Sequence, residues 1–511
     1  MKKYIAILAS ALLILSSCDK QFEEVPMTGS LTGTAAASMV EQDPSFLTSY
    51  VNGLYSYMVK YNTQSSSSIV HDDFGYLSLG LLGDVMCQDV ICNGTNNWYV
   101  YDINHDYGMY TWARPFQFWN FCYTLIAKSN EIIDFFGEED PENQDLRGYL
   151  GQAYAMRVLA YTTVITYFQD VAAGNYPNAT FNSSAKGVPL IFATRDGRTT
   201  DEVDQYSGRN TLDDVCKFIE ENIDKSLALL NGYTRASKNE INYSVAQGLA
   251  ARYYLLTQQW SKAAEAAAEA KSGFTLMDND RLHAGFMEIE DPEVMWGFNH
   301  STETMTSYAS FFSMMSNDCT GYGGLGQDSR CIDRRLYEKM ASSDYRKSLF
   351  NTPAGDPTAA TAGAKFPYAS RKFGYVAQWL QDYTFMRAAE MYLIESEAKF
   401  KGGDATGAKS VLQQLMDKRD PEWVCNSLTF DEIYTQRRIE LWGEGFNYFD
   451  VRRLAVDVIR KYDGTNFPAS ALHDFPAHDA SWNFQIPNRE LQNNPAITEE
   501  DQNEWDTGED N

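Results

Sequence analysis

Apart from a short run at its start, the 511-residue chain has no segment approaching the roughly 20 apolar residues that cross a bilayer. Membrane-spanning helices in the body of the protein are therefore excluded. Basic residues are scarce. Lys and Arg number 42 against 69 Asp and Glu, a formal net charge of −27. Such a surface repels phosphate backbones, so nucleic acid is not an expected partner, whereas a neutral ligand is compatible with it. Cysteine is sparse as well: eight in all, with no CxxC pair of metal-ligand spacing. The six histidines (71, 105, 283, 300, 473 and 478) are dispersed. His473 and His478 share an acidic loop with Asp474 and Asp479, but no metal is expected there. GxSxG, HExxH and EF-hand-like patterns are missing, which argues against a hydrolase or a calcium site. A glycoside hydrolase would need two carboxylates about 5–10 Å apart. A chain this acidic always offers such a pair by chance, so this class stays open as the weaker alternative.

The start of the chain is informative. Lys2 and Lys3 precede a twelve-residue apolar run, Tyr4 to Leu15, and small residues follow. A basic start, a short apolar core and a small-residue cleavage region make a secretory signal. Leu15-Ser16-Ser17-Cys18 resembles the lipobox of bacterial lipoproteins. That resemblance implies a signal peptide over 1–17, lipidation of Cys18, and a mature net charge of −29 once Lys2 and Lys3 are lost. Several acyl chains anchor stably where one does not. Residues 18–43 then form a lipidated cysteine and polar tether, able to reach about 25–30 Å by random-coil scaling. Seven cysteines remain, so at least one stays free. Cys87 with Cys92, or Cys319 with Cys331, could be joined in an oxidising compartment; buried free thiols fit equally well.

From residue 44 to 511 the pattern is that of one mainly helical body. Phe46, Tyr50, Leu54 and Tyr57 recur at helical spacing. Further helices are predicted over about 115–136, 146–168 and 211–230, the last with Thr211 as N-cap and Asp213 and Asp214 in its first turn. Two later segments, 243–274 and 383–419, resemble each other. Each is about the length of a tetratricopeptide unit, with small residues where its two helices cross. One helix pair cannot bury both its apolar faces, so pairs must stack. Trp119, Tyr123, Trp260 and Tyr392 sit on helical stripes and are expected in the core. Arg437, Arg438 and Glu440 share one helical region and are expected to pair structurally. Residues 274–382 are richer in Gly, Ser, Asn and aromatics, and long irregular inserts of this kind are often functional. Within them Trp296, in EVMWGF, alternates like a strand and is assigned to the core.

Several segments together resemble the SusD/RagB family of nutrient-binding outer-membrane lipoproteins: the lipobox; FWNFCYTLIAKSNEII, with Trp119, Tyr123, Ile126 and Asn130; LRGYLGQAYAMRVLAYTTVITYFQDV, followed after an insert by Val188-Pro189-Leu190; MRAAEMYLIESEAKF with the Gly402-Gly403-Asp404 break; IYTQRRIELWGEGFNYFDVRRL; and IPNRELQNNP. Ser396, Gln436 and Phe446-Asn447 depart from the family's usual residues. The resemblance implies a tetratricopeptide-like scaffold of four helix pairs with long irregular loop insertions. It implies no catalysis and no cofactor. It further implies an outer-membrane, lipid-anchored position facing the cell exterior, a TonB-dependent SusC-type transporter as partner, and an oligosaccharide or polysaccharide as ligand. Some relatives take peptides or glycoproteins instead.

Sugar rings present flat C–H faces that stack on aromatic rings, while amides and carboxylates bind the hydroxyls. Asn96, Asn97, Trp98, Tyr99 and Tyr101 offer that mixture on a non-helical stretch and are the first candidate ligand contacts. The second candidate region runs from Tyr308 to Tyr322, with Phe311 and Phe312. Tyr322 is favoured there, beside Gly321, Gly323 and Gly324, which could admit a ligand to the backbone or serve a turn.

Overall fold

The computed structural model describes residues 40, 43, 45–64, 70–93, 98–326 and 328–505. The signal peptide, Cys18, nearly all of the tether, and Asn96 and Asn97 lie outside the described residues.

The long helices are α1 (Phe46–Met58), α2 (Tyr76–Met86), α3 (Ala113–Ile133), α4 (Gln144–Phe168), α5 (Leu212–Leu230), α6 (Tyr243–Leu256), α7 (Trp260–Ala270), α8 (Ala388–Lys401), α9 (Ala405–Met416), α10 (Phe430–Glu440) and α11 (Asn447–Leu454). Their starts are written in side-chain chemistry. Asn143, Thr211, Asn242, Asp404 and Thr429 each accept a backbone N–H from the first turn that follows. At Thr211 the bonding is reciprocal, since the Asp214 carboxylate accepts the Thr211 N–H in return. Pro115 falls in the first turn of α3, where its missing N–H costs nothing.

Helices adjacent in the chain stack in order, α3 on α4, α4 on α5, α5 on α6, α6 on α7, then α7 on α8 and α8 on α9. This is the mainly helical, tetratricopeptide-like scaffold expected. Ser396, one of the departures noted above, serves the last pair: its hydroxyl donates to the Ala408 carbonyl at 2.9 Å and ties α8 to α9. Trp119 is buried, and Tyr123, Trp260 and Tyr392 are partly buried against the same core.

Residues 383–387, assigned above to the start of a helix, form a strand. Val294–Phe298 (β2) pairs antiparallel with Tyr383–Arg387 (β4), and Trp296 is fully buried between them. The β-branched and aromatic residues Tyr383, Thr384 and Phe385 favour this conformation, and α8 begins only at Ala388. Val90–Asn93 (β1) pairs antiparallel with Ser329–Ile332 (β3), with Val90 opposite Ile332 and Asn93 opposite Ser329.

Beneath the insert lies a buried ionic lattice. Glu440 accepts from Arg387 (2.7 Å), Arg419 (2.9 Å) and Arg346 (3.1 Å), while Glu293 is shared by Arg387 and Arg419. Burial alone would raise the Glu440 carboxyl, but Arg419, Arg387 and Arg346 hold it well below the usual carboxylate range. Arg437 pairs with Asp450, and Arg438 with Asp89. The charged run of α10 is therefore structural, as expected. Gly80 and Gly445 meet so closely that a Cβ on Gly80 would come within 2.8 Å of the Gly445 Cα. The Asp84 carboxylate accepts the N–H groups of Gly445 and Asn447 at 2.8 and 2.9 Å, fixing the start of α11.

All seven cysteines of the body are free thiols, six of them buried, so neither Cys87–Cys92 nor Cys319–Cys331 is joined. Burial pushes the Cys92 thiol up to about 12 and the Cys331 thiol to about 11, which makes both inert near neutrality. Among the described residues no helix is long and apolar enough to cross a membrane.

Candidate functional site

The open end of the β1–β3 ladder positions the site. Asn93 and Ser329 face each other there. The chain leaving Asn93 reaches Trp98 five residues on, and the chain entering Ser329 comes from Tyr322 seven residues back. Two loops more than 200 residues apart are thereby brought together, and the Trp98 and Tyr322 rings meet edge to face at 5.6 Å.

Two further rings complete the cluster. His71 lies near-parallel to Trp98 at 5.6 Å and to Tyr308 at 6.2 Å, and its Nδ1 is 2.6 Å from the Tyr322 hydroxyl. Tyr308 stands 5.7 Å from Tyr322 and is 44% exposed. Burial raises the Tyr322 phenol above its ordinary value, so it stays protonated and can donate a hydrogen bond. The segment carrying His71 is held against the chain before it: the Asn62 N–H donates to the Asp73 carbonyl, and the Thr63 hydroxyl to the Asp73 carboxylate, both at 3.0 Å.

A cleft of about 420 Å³ is lined by Tyr57, Lys60, Tyr61, Lys128, Met305 and Thr306. None of the four rings lines it, although Tyr308 lies two residues past Thr306. It offers hydroxyl and ammonium donors of its own. A tighter apolar cavity of about 80 Å³, lined by Tyr76, Leu79, Leu159, Thr166, Phe385 and Phe446, lies within the helical scaffold and contains none of the four rings.

Trp98 and Tyr322 are therefore brought together at a solvent-reaching cluster. Tyr99 is not part of it. Its side chain turns inward, fully buried, with the Arg330 guanidinium 5.1 Å from its ring centre. It immediately precedes a short helix, 100–103, whose opening turn directs it to the core. Tyr101 is 48% exposed but belongs to a second ring stack, with Tyr107 and Trp112. Phe311 and Phe312 are buried in a helical turn, 311–315. The glycines around Tyr322 serve that turn's packing: a Cβ on Gly324 would lie 1.7 Å from the Cys319 carbonyl oxygen, and one on Gly321 2.3 Å from the Ser313 hydroxyl. His71 had no signal in the sequence beyond the two aspartates that follow it, because its partners are distant in the chain.

One buried arginine underlies both ring groups. Arg114 donates to Asp102 at 2.7 Å through Nε and to Asp72 through Nη2, and all three side chains are buried. His71 precedes Asp72, and Tyr101 precedes Asp102. Burial pushes the Asp102 carboxyl up despite Arg114. Arg114 thus clamps two backbone points whose neighbouring residues each carry a ring of the surface.

Comparison with known proteins adds two family matches. Residues 363–505 match the model of the SusD family, and residues 83–255 match the model described as "Starch-binding associating with outer membrane". Among solved structures, a SusD-like carbohydrate binding protein from Bacteroides vulgatus superposes with a TM-score of 0.74 at 22% identity, covering 90% of this chain and 98% of its own. A SusD superfamily protein from Bacteroides thetaiotaomicron gives 0.69 at 20% identity, over 90% and 99%. Surface glycan-binding protein A from Bacteroides uniformis gives 0.60 at 17% identity, over 90% and 99%. No curated protein matches the chain.

Proposed function

We propose, from the premise that this chain belongs to the SusD/RagB family, that it is a non-catalytic glycan-binding protein of the outer membrane, whose binding surface is the cluster of His71, Trp98, Tyr308 and Tyr322. The observation that carries the reading is the assembly of four rings from distant segments at a position where Tyr308 stays 44% exposed. A fold driven only by burial would turn such rings inward, as it does Tyr99, Phe311 and Phe312. Near-parallel and edge-on rings offer flat apolar faces for sugar C–H groups, and the Tyr308 and Tyr322 hydroxyls supply directional partners for hydroxyls. Neither matching segment indicates an enzyme family. In this reading Cys18 carries the lipid anchor, the body faces the cell exterior, and captured oligosaccharide passes to a SusC-type TonB-dependent transporter.

The test is retention of the full chain in affinity gels containing amylopectin, xylan, β-glucan, galactomannan or pectic galactan, with products analysed for turnover. At least one polysaccharide should be retained without being cleaved. Trp98→Ala should weaken that retention by about 2 kcal/mol, the loss typical of a central anchor, or roughly 30-fold in Kd. Unchanged retention in Trp98→Ala would remove the site. Binding of peptides and of no glycan would transfer the reading to peptide uptake.

A further inference from the structure

Residues 100–112 carry four exposed large apolar side chains, Val100, Tyr101, Tyr110 and Trp112; only six others exist among the described residues. Three rings of this segment form a ladder. Tyr101 stacks on Tyr107 at 4.5 Å and 22°, and Tyr107 meets Trp112 at 4.9 Å and 36°. The outer rings are about half exposed, Tyr101 at 48% and Trp112 at 46%.

The loop presenting them is fixed. The Gly108 carbonyl accepts the Gln485 N–H at 2.9 Å, the Tyr110 N–H donates to the Gln485 side chain at 3.1 Å, and the Tyr110 carbonyl accepts the Asn488 N–H at 3.1 Å. The Trp505 ring covers Gly108 so closely that a Cβ there would lie 2.0 Å from it. At the loop's base His105 adopts φ +59°, a backbone conformation that non-glycine residues occupy only where surroundings over-determine it. Its ring lies against Phe475 at 3.7 Å and bonds the Met86 carbonyl and the Ser481 hydroxyl. A loop anchored at so many points could have buried its rings; it holds them out instead, at the entropic and hydration cost this entails.

We infer that Tyr101, Tyr107 and Trp112 form a second carbohydrate platform, separate from the His71–Trp98–Tyr308–Tyr322 cluster, and that the two together grip one polysaccharide chain at two points. The inference rests on the glycan reading above. Trp98 and Tyr101 are three residues apart, so their Cα atoms lie within roughly 11 Å of each other. A chain of several sugars can lie along both platforms at once, while a mono- or disaccharide is held on one of them. Arg114, bonded to both Asp72 and Asp102, keeps the two platforms in fixed register, so that once the first is filled the second binds at high effective concentration. Selectivity for long chains over short fragments follows.

The experiment compares the full chain with Trp112→Ala, Trp112→Phe and Trp98→Ala. The probes are the polysaccharide retained in the affinity-gel panel and its purified mono- and disaccharide fragments, measured by titration calorimetry, with thermal unfolding as the folding control. Trp112→Ala should lose about tenfold or more in affinity for the polymer and less than twofold for the fragments. Trp112→Phe should recover most of the polymer affinity, and Trp98→Ala should lose both. Unchanged polymer affinity in a folded Trp112→Ala overturns the second platform and leaves the first intact. The same holds if Trp112→Ala loses association with a membrane partner but not with the polymer. Retention of no polysaccharide by the unmodified chain overturns both.

Discussion

Two buried arginine clusters divide the labour of this molecule. In the lattice around Glu440, three guanidiniums converge on that one carboxylate, with Glu293, Glu444 and Asp344 as their further partners, and they join the insert to the helices. In the cluster around Arg114 the stoichiometry is reversed, one guanidinium between two aspartates, and each aspartate sits next to a ring of the proposed binding surface. The first cluster holds the scaffold together; the second aims the surface that the scaffold carries. The inversion matters physically. Carboxylates left without a partner can take up a proton and become neutral, whereas arginines cannot shed theirs.

The largest effect should therefore come from Glu440→Gln. Removing the charge leaves Arg346, Arg387 and Arg419 to Asp344, Glu444 and Glu293 alone, one negative charge short in a dry interior, at about 3–5 kcal/mol for a broken buried pair. Thermal unfolding should show a large fall in Tm or no cooperative transition. A Tm within a few degrees of the parent would show that the lattice is not what joins insert to helices. Arg114→Met should cost less, about 2–3 kcal/mol, because a carboxylate left without a partner can become neutral where a guanidinium cannot. Its signature lies in binding: the chain should stay folded by circular dichroism yet lose affinity for both polymer and fragments. Intact binding in a folded Arg114→Met would erase the distinction between the two clusters.

The smallest effect concerns pH. Burial pushes the Asp84 carboxyl up to about 7 from 3.8, with the Asn447 and Gly445 N–H groups offsetting part of the shift. Its native form therefore keeps a proton through a range where the unfolded chain has lost it. The stability this contributes is complete below about pH 4 and fades as pH rises towards 7. Glu440, held low, acts in the opposite direction. Denaturant midpoints measured from pH 4 to 7 should thus fall more steeply with pH, or rise less, in the parent than in Asp84→Asn. Parallel profiles would remove Asp84 as a contributor.

Much of the scaffold was legible because helical periodicity and capping residues are local signals. Thr211, the 243–274 pair and the buried Trp296 strand are all where their neighbours in sequence placed them. The strand at 383–387 was misjudged because its partner lies about 90 residues upstream and its apolar residues also fit a helical stripe. The site was half legible. Trp98 and Tyr322 carried composition signals. Tyr99 had the same composition, and only tertiary packing sends it inward. His71 and Arg114 act through partners that no local pattern reveals, and Tyr107 and Trp112 gain meaning only once Trp505 and Gln485 fix the loop between them.

The short β1–β3 ladder has an evolutionary corollary. Its terminal pair, Asn93 and Ser329, sets where the two ring-bearing segments emerge, so the rings themselves can be exchanged without disturbing the ladder or the helices behind it. Under the proposed glycan reading, a change of polymer then needs only a change of rings, on a frame inherited unchanged.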